Sequence, residues 1–165
     1  MDAASGRGED RMHTLLIVFT DKPTDLNVKR IMEPFYENDG ANPDGKWDWY
    51  QIGGRWTGLF DNYEADKDPV NSEPCWLCGA TGKRIDMVVE NGCNACHGTG
   101  TAVKHPSEWV RHDEDIQKAG EIKTWPEYIG KSPYIDSQGG WHDEGVLEYA
   151  QANPGLFAVV VDFHD

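Results

Sequence analysis

The stretch Thr14-Leu-Leu-Ile-Val-Phe-Thr20 decides the fold of this chain. It is β-branched, apolar or aromatic throughout and does not alternate with polar residues, which is typical of a strand covered on both faces. A second run of the same character, LFAVVVDF at residues 156–163, lies near the other end of the sequence. We therefore expect two core strands, at about 14–20 and 156–163, lying side by side in one small sheet.

A helical pattern follows the first strand and another precedes the second. Thr24 or Asp25 can cap a helix whose apolar residues recur with helical spacing, and Pro34 would kink the helix or end it early. Those apolar residues are Val28, Ile31, Met32 and Phe35. A second, brief helix before the turn at residues 153–155 is outlined by Val146, Leu147, Tyr149 and Ala150. The sequence thus predicts an α+β fold with few short helices.

The size and composition of the chain fit one domain. It has 165 residues, 38% of them apolar, with 7 tryptophans, 6 tyrosines and 5 phenylalanines to fill a single packed core. We expect a single α+β domain over residues 12–165. Residues 1–11 are small and charged, and we expect them to form a flexible tail.

The formal net charge of −14 restricts the partners of the protein. A duplex DNA backbone would be repelled by most of its surface, which argues against DNA binding, whereas a protein with a basic surface would be attracted. No stretch approaches the roughly 20 consecutive apolar residues of a membrane-spanning helix. Residues 1–11 lack the apolar segment of a signal peptide, so we expect a cytoplasmic protein whose cysteines stay reduced.

The cysteines are the clearest chemical signal in the sequence. They form two C-x-x-C pairs with fourteen residues between them: Cys75 and Cys78, Cys93 and Cys96. Two such pairs are typical of a tetrahedral zinc site, and four sulfur ligands close its coordination shell. We predict one structural Zn²⁺ bound by these cysteines in an inserted module, residues 75–104. The alternatives are disulfides, buried thiols or thioredoxin-like redox chemistry, and His97 could replace one ligand.

The second pair continues as Cys93-Asn-Ala-Cys96-His-Gly-Thr-Gly100. This stretch resembles the C-x-x-C-x-G-x-G repeat in the cysteine-rich region of DnaJ (Hsp40) proteins. Residues 75–82 are similar but have Ala80 where the repeat has its first glycine. The resemblance covers residues 75–100 with half the number of repeats, and it implies a pair of zinc knuckles rather than a co-chaperone.

The densest aromatic segment is WDWYQIGGRW at residues 47–56. Its consecutive glycines predict two short strands joined by a tight turn, with the rings filling the core. The alternative is a nucleotide- or RNA-binding module, in which rings stack on a base and the guanidinium binds a phosphate. The candidate ligand-binding residues are Trp47, Trp49, Tyr50, Gly53, Gly54, Arg55 and Trp56.

The WDWYxIGGRW motif resembles one in small uncharacterised proteins of bacteriophages, chiefly those of actinobacteria, which often carry a C-x-x-C-x-G-x-G knuckle. The resemblance extends from Thr14 to Phe163. It implies a phage-encoded protein that acts in the cytoplasm of a host cell, and it implies no particular activity.

The remaining segments give weaker structural signals. Residues 61–74 are acidic and rich in turn formers, which indicates a linker. Ile85, Met87 and Val89 alternate as in a short strand. Residues 105–145 predict loops with short helical turns. The residues expected to hold these loops against the core are Trp109, Trp125 and Trp141.

An enzymatic function has little support in the sequence. The phosphate-binding, metalloprotease and nucleophile-elbow motifs of familiar hydrolases are not found in it. An uncharacterised enzyme would need to bring Arg55, His112 and His142 into one cleft. Three further histidines have no informative spacing: His13, His105 and His164.

Charge and the cysteines together favour a non-enzymatic, zinc-stabilised acidic protein that binds a partner protein. The expected partner is a host protein with a basic surface, which the chain would modulate or inhibit as a phage-encoded factor. The nucleotide- or RNA-binding module and the uncharacterised enzyme are the alternatives. No feature of the sequence specifies an oligomeric state.

Overall fold

The computed structural model describes residues 12–84, 86 and 92–165. Its main unit is a six-stranded mixed sheet with strands β1 (His13–Thr20) and β8 (Phe157–His164) at the centre. These two strands pair antiparallel over their whole length, with His13 opposite His164 and Thr20 opposite Phe157. The prediction of paired terminal core strands in an α+β fold is confirmed.

Shorter strands complete the sheet on both sides of the central pair. Strand β6 (Tyr134–Ile135) pairs parallel with β1, and β7 (Trp141–His142) pairs antiparallel with β6. The outer edge of β8 is shared by two strands: β2 (Trp49–Ile52) pairs with its C-terminal half and β5 (Ile116–Lys118) with its N-terminal end. The prediction for residues 105–145 therefore lacked three strands, each too short to show a two-residue period.

Both faces of the central strands are buried, which explains why the first run has no polar alternation. Leu15, Ile17 and Phe19 point to one hydrophobic cluster, and Leu16 and Val18 point to the other. A half-exposed strand would need a polar residue at every second position. The run therefore marks the middle layer of the domain.

Two α-helices cover the two faces of the sheet. Helix α1 (Asp25–Met32) is capped by Thr24, whose hydroxyl accepts a hydrogen bond from the Asn27 amide, and a 3-10 turn containing Pro34 follows the helix. Helix α2 (Val146–Ala152) lies on the opposite face. Their predicted positions are confirmed.

Ten 3-10 turns connect these elements in the described part of the chain. They are Glu33–Phe35, Asn38–Gly40, Gly54–Trp56, Leu59–Asp61, Ala65–Lys67, Pro69–Asn71, Pro106–Glu108, Asp113–Asp115, Ala119–Glu121 and Glu127–Lys131. Within residues 105–145 such turns were predicted, and two of the three expected anchors, Trp125 and Trp141, pack against the hydrophobic clusters. The third, Trp109, donates a hydrogen bond from Nε1 to the carbonyl of Lys104.

The predicted hairpin at Gly53–Gly54 is wrong. Strand β2 ends at Ile52 and pairs with β8, and the glycines lead into the 3-10 turn Gly54–Trp56 instead of a returning strand. The cause is a long-range contact, since the amide of Arg55 donates to the carboxylate of Asp162 on β8 at 3.0 Å. That bond holds the turn against β8.

The segment 61–74 is not a free linker, contrary to its composition. The side chain of Asn71 is fully buried, donates to the carbonyl of Ala65 and accepts from the amide of Val110. The segment ends in strand β3 (Ser72–Pro74), which pairs antiparallel with β4 (Thr101–Val103). This two-stranded sheet presents the cysteine module.

Two sequence predictions fall on residues outside the described part of the chain. These are the flexible tail over residues 1–11 and the strand suggested by Ile85, Met87 and Val89. In the described residues, no helix has the length and apolar character needed to cross a membrane.

Candidate metal centre

The two C-x-x-C pairs are brought together by the strands that flank them. Strand β3 leads directly into Cys75, and β4 begins five residues after Cys96 with Thr101 opposite Pro74. The amide of Cys75 also donates to the carbonyl of Gly100 at 2.8 Å. The base of the inserted module is therefore closed by backbone hydrogen bonds.

The four cysteine sulfurs form one buried cluster with the dimensions of a tetrahedral zinc site. All four Sγ atoms lie within 4.8 Å of one another, and Cys75–Cys93 and Cys78–Cys96 are each separated by 3.8 Å. Zinc–sulfur bonds of about 2.3 Å require an edge of about 3.8 Å in a regular tetrahedron. The cysteines are thus positioned to hold one metal ion, and zinc fits both their chemistry and their spacing.

Disulfide bonding does not describe this cluster. All four cysteines are free and buried, and the sulfur–sulfur separations of 3.8 Å between the two knuckles are too long for a disulfide bond. His97 is exposed, and it is not needed as a ligand because the four sulfurs already supply a complete tetrahedral shell. The arrangement is that of a closed structural site rather than a catalytic site with an open position.

Backbone amides stabilise two of the sulfurs as thiolates. The amide of Gly82 donates to Cys78 Sγ and the amide of Gly100 donates to Cys96 Sγ, each at 3.3 Å. Burial opposes ionisation of Cys96, but the Gly100 amide, the Cys93 side chain and the Gly98 amide outweigh it and lower the pKa of Cys96 to about 6. The second knuckle is therefore prepared to bind a cation.

The cluster cannot ionise completely without a cation. An amide hydrogen bond favours the Cys75 thiolate, yet burial and the neighbouring Cys78 and Cys93 sulfurs raise the pKa of Cys75 to about 11. Like charges within a few ångströms disfavour one another. A divalent ion supplies the compensating charge that lets all four sulfurs act as thiolate ligands.

The two knuckles repeat the same backbone geometry. The Cys93 amide donates to the Gly82 carbonyl at 2.9 Å, which mirrors the bond between Cys75 and Gly100. Gly82 and Gly100 also sit against the opposite knuckle, where an added Cβ would lie 2.4 Å from the Gly98 oxygen and 2.5 Å from the Ala80 oxygen, respectively. Only glycine leaves room for this close approach.

Ala80 occupies a backbone conformation that suits glycine. Its φ of +66° corresponds to +83° at Gly98, the equivalent position of the second knuckle. This explains the one departure of the first knuckle from the C-x-x-C-x-G-x-G pattern: the fold is the same, and alanine adopts the left-handed conformation.

Ala80→Gly is therefore expected to strengthen the module. The substitution relieves left-handed strain of about 1–2 kcal/mol per residue, partly offset by the greater freedom of glycine in the unfolded chain. We expect a net gain of up to about 1 kcal/mol, measured as slower zinc loss to a chelator. The reciprocal variant Gly98→Ala, where a Cβ meets nothing closer than 3.9 Å, should lose zinc faster. Equal rates for all three proteins would contradict the prediction.

The aromatic residues of the 47–56 motif are divided between two faces of β2. Trp47 and Tyr50 pack against the hydrophobic cluster beneath α1, and Trp47 Nε1 donates to the carbonyl of Met32 at 2.9 Å. Trp49 points the other way, is 39% exposed, and meets the ring of His13 edge-on at 5.7 Å. These rings do not form one stacking surface.

The glycines of the motif make room for two buried carboxylates. A Cβ on Gly53 would lie 2.4 Å from Asp115 Oδ2, and one on Gly54 would lie 2.5 Å from Asp162 Oδ2. Asp115 accepts hydrogen bonds from the Thr57 hydroxyl and the Gly58 amide, each at 2.6 Å. Burial nevertheless outweighs these bonds and raises the pKa of Asp115.

Arg55 and Trp56 line a cavity of about 560 Å³ at the end of the motif, together with Tyr63 and Tyr128. The structure therefore separates the seven candidate residues into two rings packed on the core, the exposed ring of Trp49, a carboxylate cradle and a cavity wall. Only Arg55 and Trp56 of the seven line this cavity.

The three residues proposed for an enzymatic cleft do not share one environment, because only Arg55 and His112 lie near each other. His112 stacks on Tyr63, which also lines the Arg55 cavity, whereas His142 stacks on Tyr134. His142 lies on β7, at the opposite edge of the sheet from β2 and the turn that carries Arg55.

Sequence reasoning missed the structural role of Asp162 and the pairing of His13 with His164. Asp162 is the one charged residue in the second apolar run and is 1% exposed, so its position in that run was a usable signal. His13 and His164 flank the two core runs, and antiparallel pairing of those runs places them opposite each other.

Comparisons of the chain with protein-family models, curated proteins and solved structures find no match.

Proposed function

We propose that this chain is a zinc-stabilised, non-enzymatic protein that docks on a partner protein through its cysteine module. The observation that carries the proposal is Trp76, which is 77% exposed although it lies between the buried Cys75 and Cys78. Tryptophan is enriched among the residues that dominate binding energy at protein interfaces. A metal-braced turn holds this ring outward at little cost in conformational entropy.

The module offers further contact surface beside the second knuckle. A groove of about 580 Å³ runs there, and its apolar lining includes Ala95, Ala102 and the half-exposed Val103. Residues 75–104 contain three basic and two acidic residues, a formal charge of +1 before the metal and the thiolates are counted. The whole chain has a formal charge of −14. The module therefore differs in charge from the body that carries it.

The acidic body favours a partner with a basic surface. Long-range attraction raises the association rate of such a pair and falls with ionic strength, because salt screens it. Because the chain resembles actinobacteriophage proteins, we expect this partner in an actinobacterial host cell. Binding would then modulate or inhibit that host protein.

Trp76→Ala is expected to weaken partner binding at least about 30-fold, as for the loss of an interface hot spot. Folding stability should change by no more than about 0.5 kcal/mol, because the ring is exposed. The partner is first captured from an actinobacterial lysate with the zinc-loaded chain, and its affinity is then measured with each purified variant.

Tyr128→Ala provides the matched control, since Tyr128 is 57% exposed but lies outside the module. It should bind like the unmodified chain, and the affinity of both should fall as salt is raised. A partner that binds Trp76→Ala equally well, binding that salt does not weaken, or failure to capture any basic protein would overturn the proposal.

A further inference from the structure

Two histidines from opposite ends of the chain form a cluster that is separate from the cysteine module. His13 on β1 pairs directly with His164 on β8, and their ring centroids are 5.2 Å apart. Both side chains are 23% exposed. They line a cavity of about 410 Å³ together with Asp48, Trp49, His105 and Ser107.

Each of the two imidazoles is oriented by a carboxylate through the same ring nitrogen. His13 Nδ1 donates to Asp162 Oδ1 at 2.8 Å, and His164 Nδ1 donates to Asp48 Oδ1 at 2.7 Å. With the proton of the neutral ring on Nδ1, the lone pair is on Nε2. A carboxylate bonded to the opposite nitrogen is the usual arrangement behind a metal-binding histidine, because it fixes the tautomer and raises the basicity of the ligand.

The charges around the cavity favour a cation over an anion. Among its described lining residues there is no lysine or arginine, whereas Asp48 lies in its wall and Asp162 directly behind His13. The net charge of −14 also concentrates cations at the surface. A phosphate or carboxylate ligand would meet these carboxylates without a counter-charge.

We propose that His13 Nε2 and His164 Nε2 bind a first-row divalent transition-metal ion at the surface of the domain. Imidazole ligands suit zinc, nickel and copper rather than magnesium or calcium. In the described residues, the cysteine cluster is the only place where three or more histidine, cysteine or carboxylate side chains converge. At the His13–His164 site, water would therefore complete the coordination shell. His105 is not counted as a ligand, because its Nδ1 accepts from the Ser107 amide at 3.3 Å and the neutral ring therefore carries its proton on Nε2.

An ion held by two imidazoles keeps coordination positions open, in contrast to the closed four-sulfur site. Those positions can accept a ligand from outside, such as a carboxylate or an imidazole. The proposal is independent of partner docking through Trp76, which lies in the cysteine module.

The test is calorimetric titration of Ni²⁺ into the tag-free, zinc-loaded chain at pH 7.5. We expect one nickel site in the unmodified chain. His13→Asn and His164→Asn should each lower its nickel affinity at least about 100-fold. Asp48→Asn removes only the orienting carboxylate and should lower the affinity about 10-fold. His142→Asn is the control, because His142 also has a carboxylate partner, Asp136, but stands outside the cavity. It should bind nickel normally.

A second measurement uses the unmodified chain and does not depend on how the variants fold. Nickel is paramagnetic in octahedral coordination, so it should shift or broaden the NMR signals of the His13 and His164 rings and the Trp49 indole before those of His142. The absence of a nickel site, nickel affinity that neither histidine variant lowers, or broadening that starts at His142 would overturn the proposal.

Discussion

Cys93→Ser is expected to leave the chain without stably bound zinc and to unfold the knuckles while the six-stranded sheet stays folded. Structural zinc contributes on the order of 10 kcal/mol to folding of small cysteine sites, so the loss of one thiolate removes most of what orders this module. The module is joined to the body through its own two-stranded sheet, whereas β1 and β8 belong to the main sheet. Loss of the metal therefore has a local consequence.

Hydrogen exchange and zinc content measure this effect together. Peptides covering residues 75–84 and 92–104 should lose protection in Cys93→Ser, and those covering β1 and β8 should keep it. Ala95→Ser is the matched control, because it places the same residue at an exposed position of the same turn. A Cys93→Ser protein that retains one tightly bound zinc and protected knuckles would show that the cluster is not a four-cysteine site.

Gly54→Ala is expected to destabilise the whole domain by about 3 kcal/mol or more, through overpacking added to left-handed strain. Its φ is +55°, and the new methyl would lie 2.5 Å from Asp162 Oδ2 and 2.6 Å from Asp162 Cβ. Displacing that carboxylate also removes the acceptor of the Arg55 amide and the partner of His13. A partly buried amide that loses its acceptor adds to the cost.

Gly139→Ala separates the steric effect from backbone strain. Gly139 has a φ of +83°, but a Cβ there would meet nothing within 4 Å. Its cost should be limited to the left-handed strain, about 1–2 kcal/mol. Urea unfolding of both variants provides the comparison, and equal losses of stability would mean that the contact with Asp162 has no role in holding the turn.

The sequence was most informative where a single local pattern determines the structure. The two apolar runs predicted the central strands because burial on both faces removes polar residues from a strand. The C-x-x-C pairs predicted the metal centre because tetrahedral coordination constrains both residue type and spacing. In each case the deciding information lies within a short segment.

The features that were missed depend on contacts between distant residues. The glycines at 53 and 54 were interpreted as a hairpin turn, but their surroundings are set by Asp115 and Asp162 from elsewhere in the chain. Strands β6 and β7 have two residues each, too few for a pattern to show. His13 and His164 become neighbours only through the register of β1 and β8.

X-ray absorption at the zinc edge, combined with elemental analysis of the purified, tag-free chain, tests the central claim most directly. The account predicts one tightly held zinc per chain, surrounded by four sulfur atoms at about 2.3 Å. Protein purified under reducing conditions with no bound metal, or a zinc shell containing fewer than four sulfurs, would contradict it.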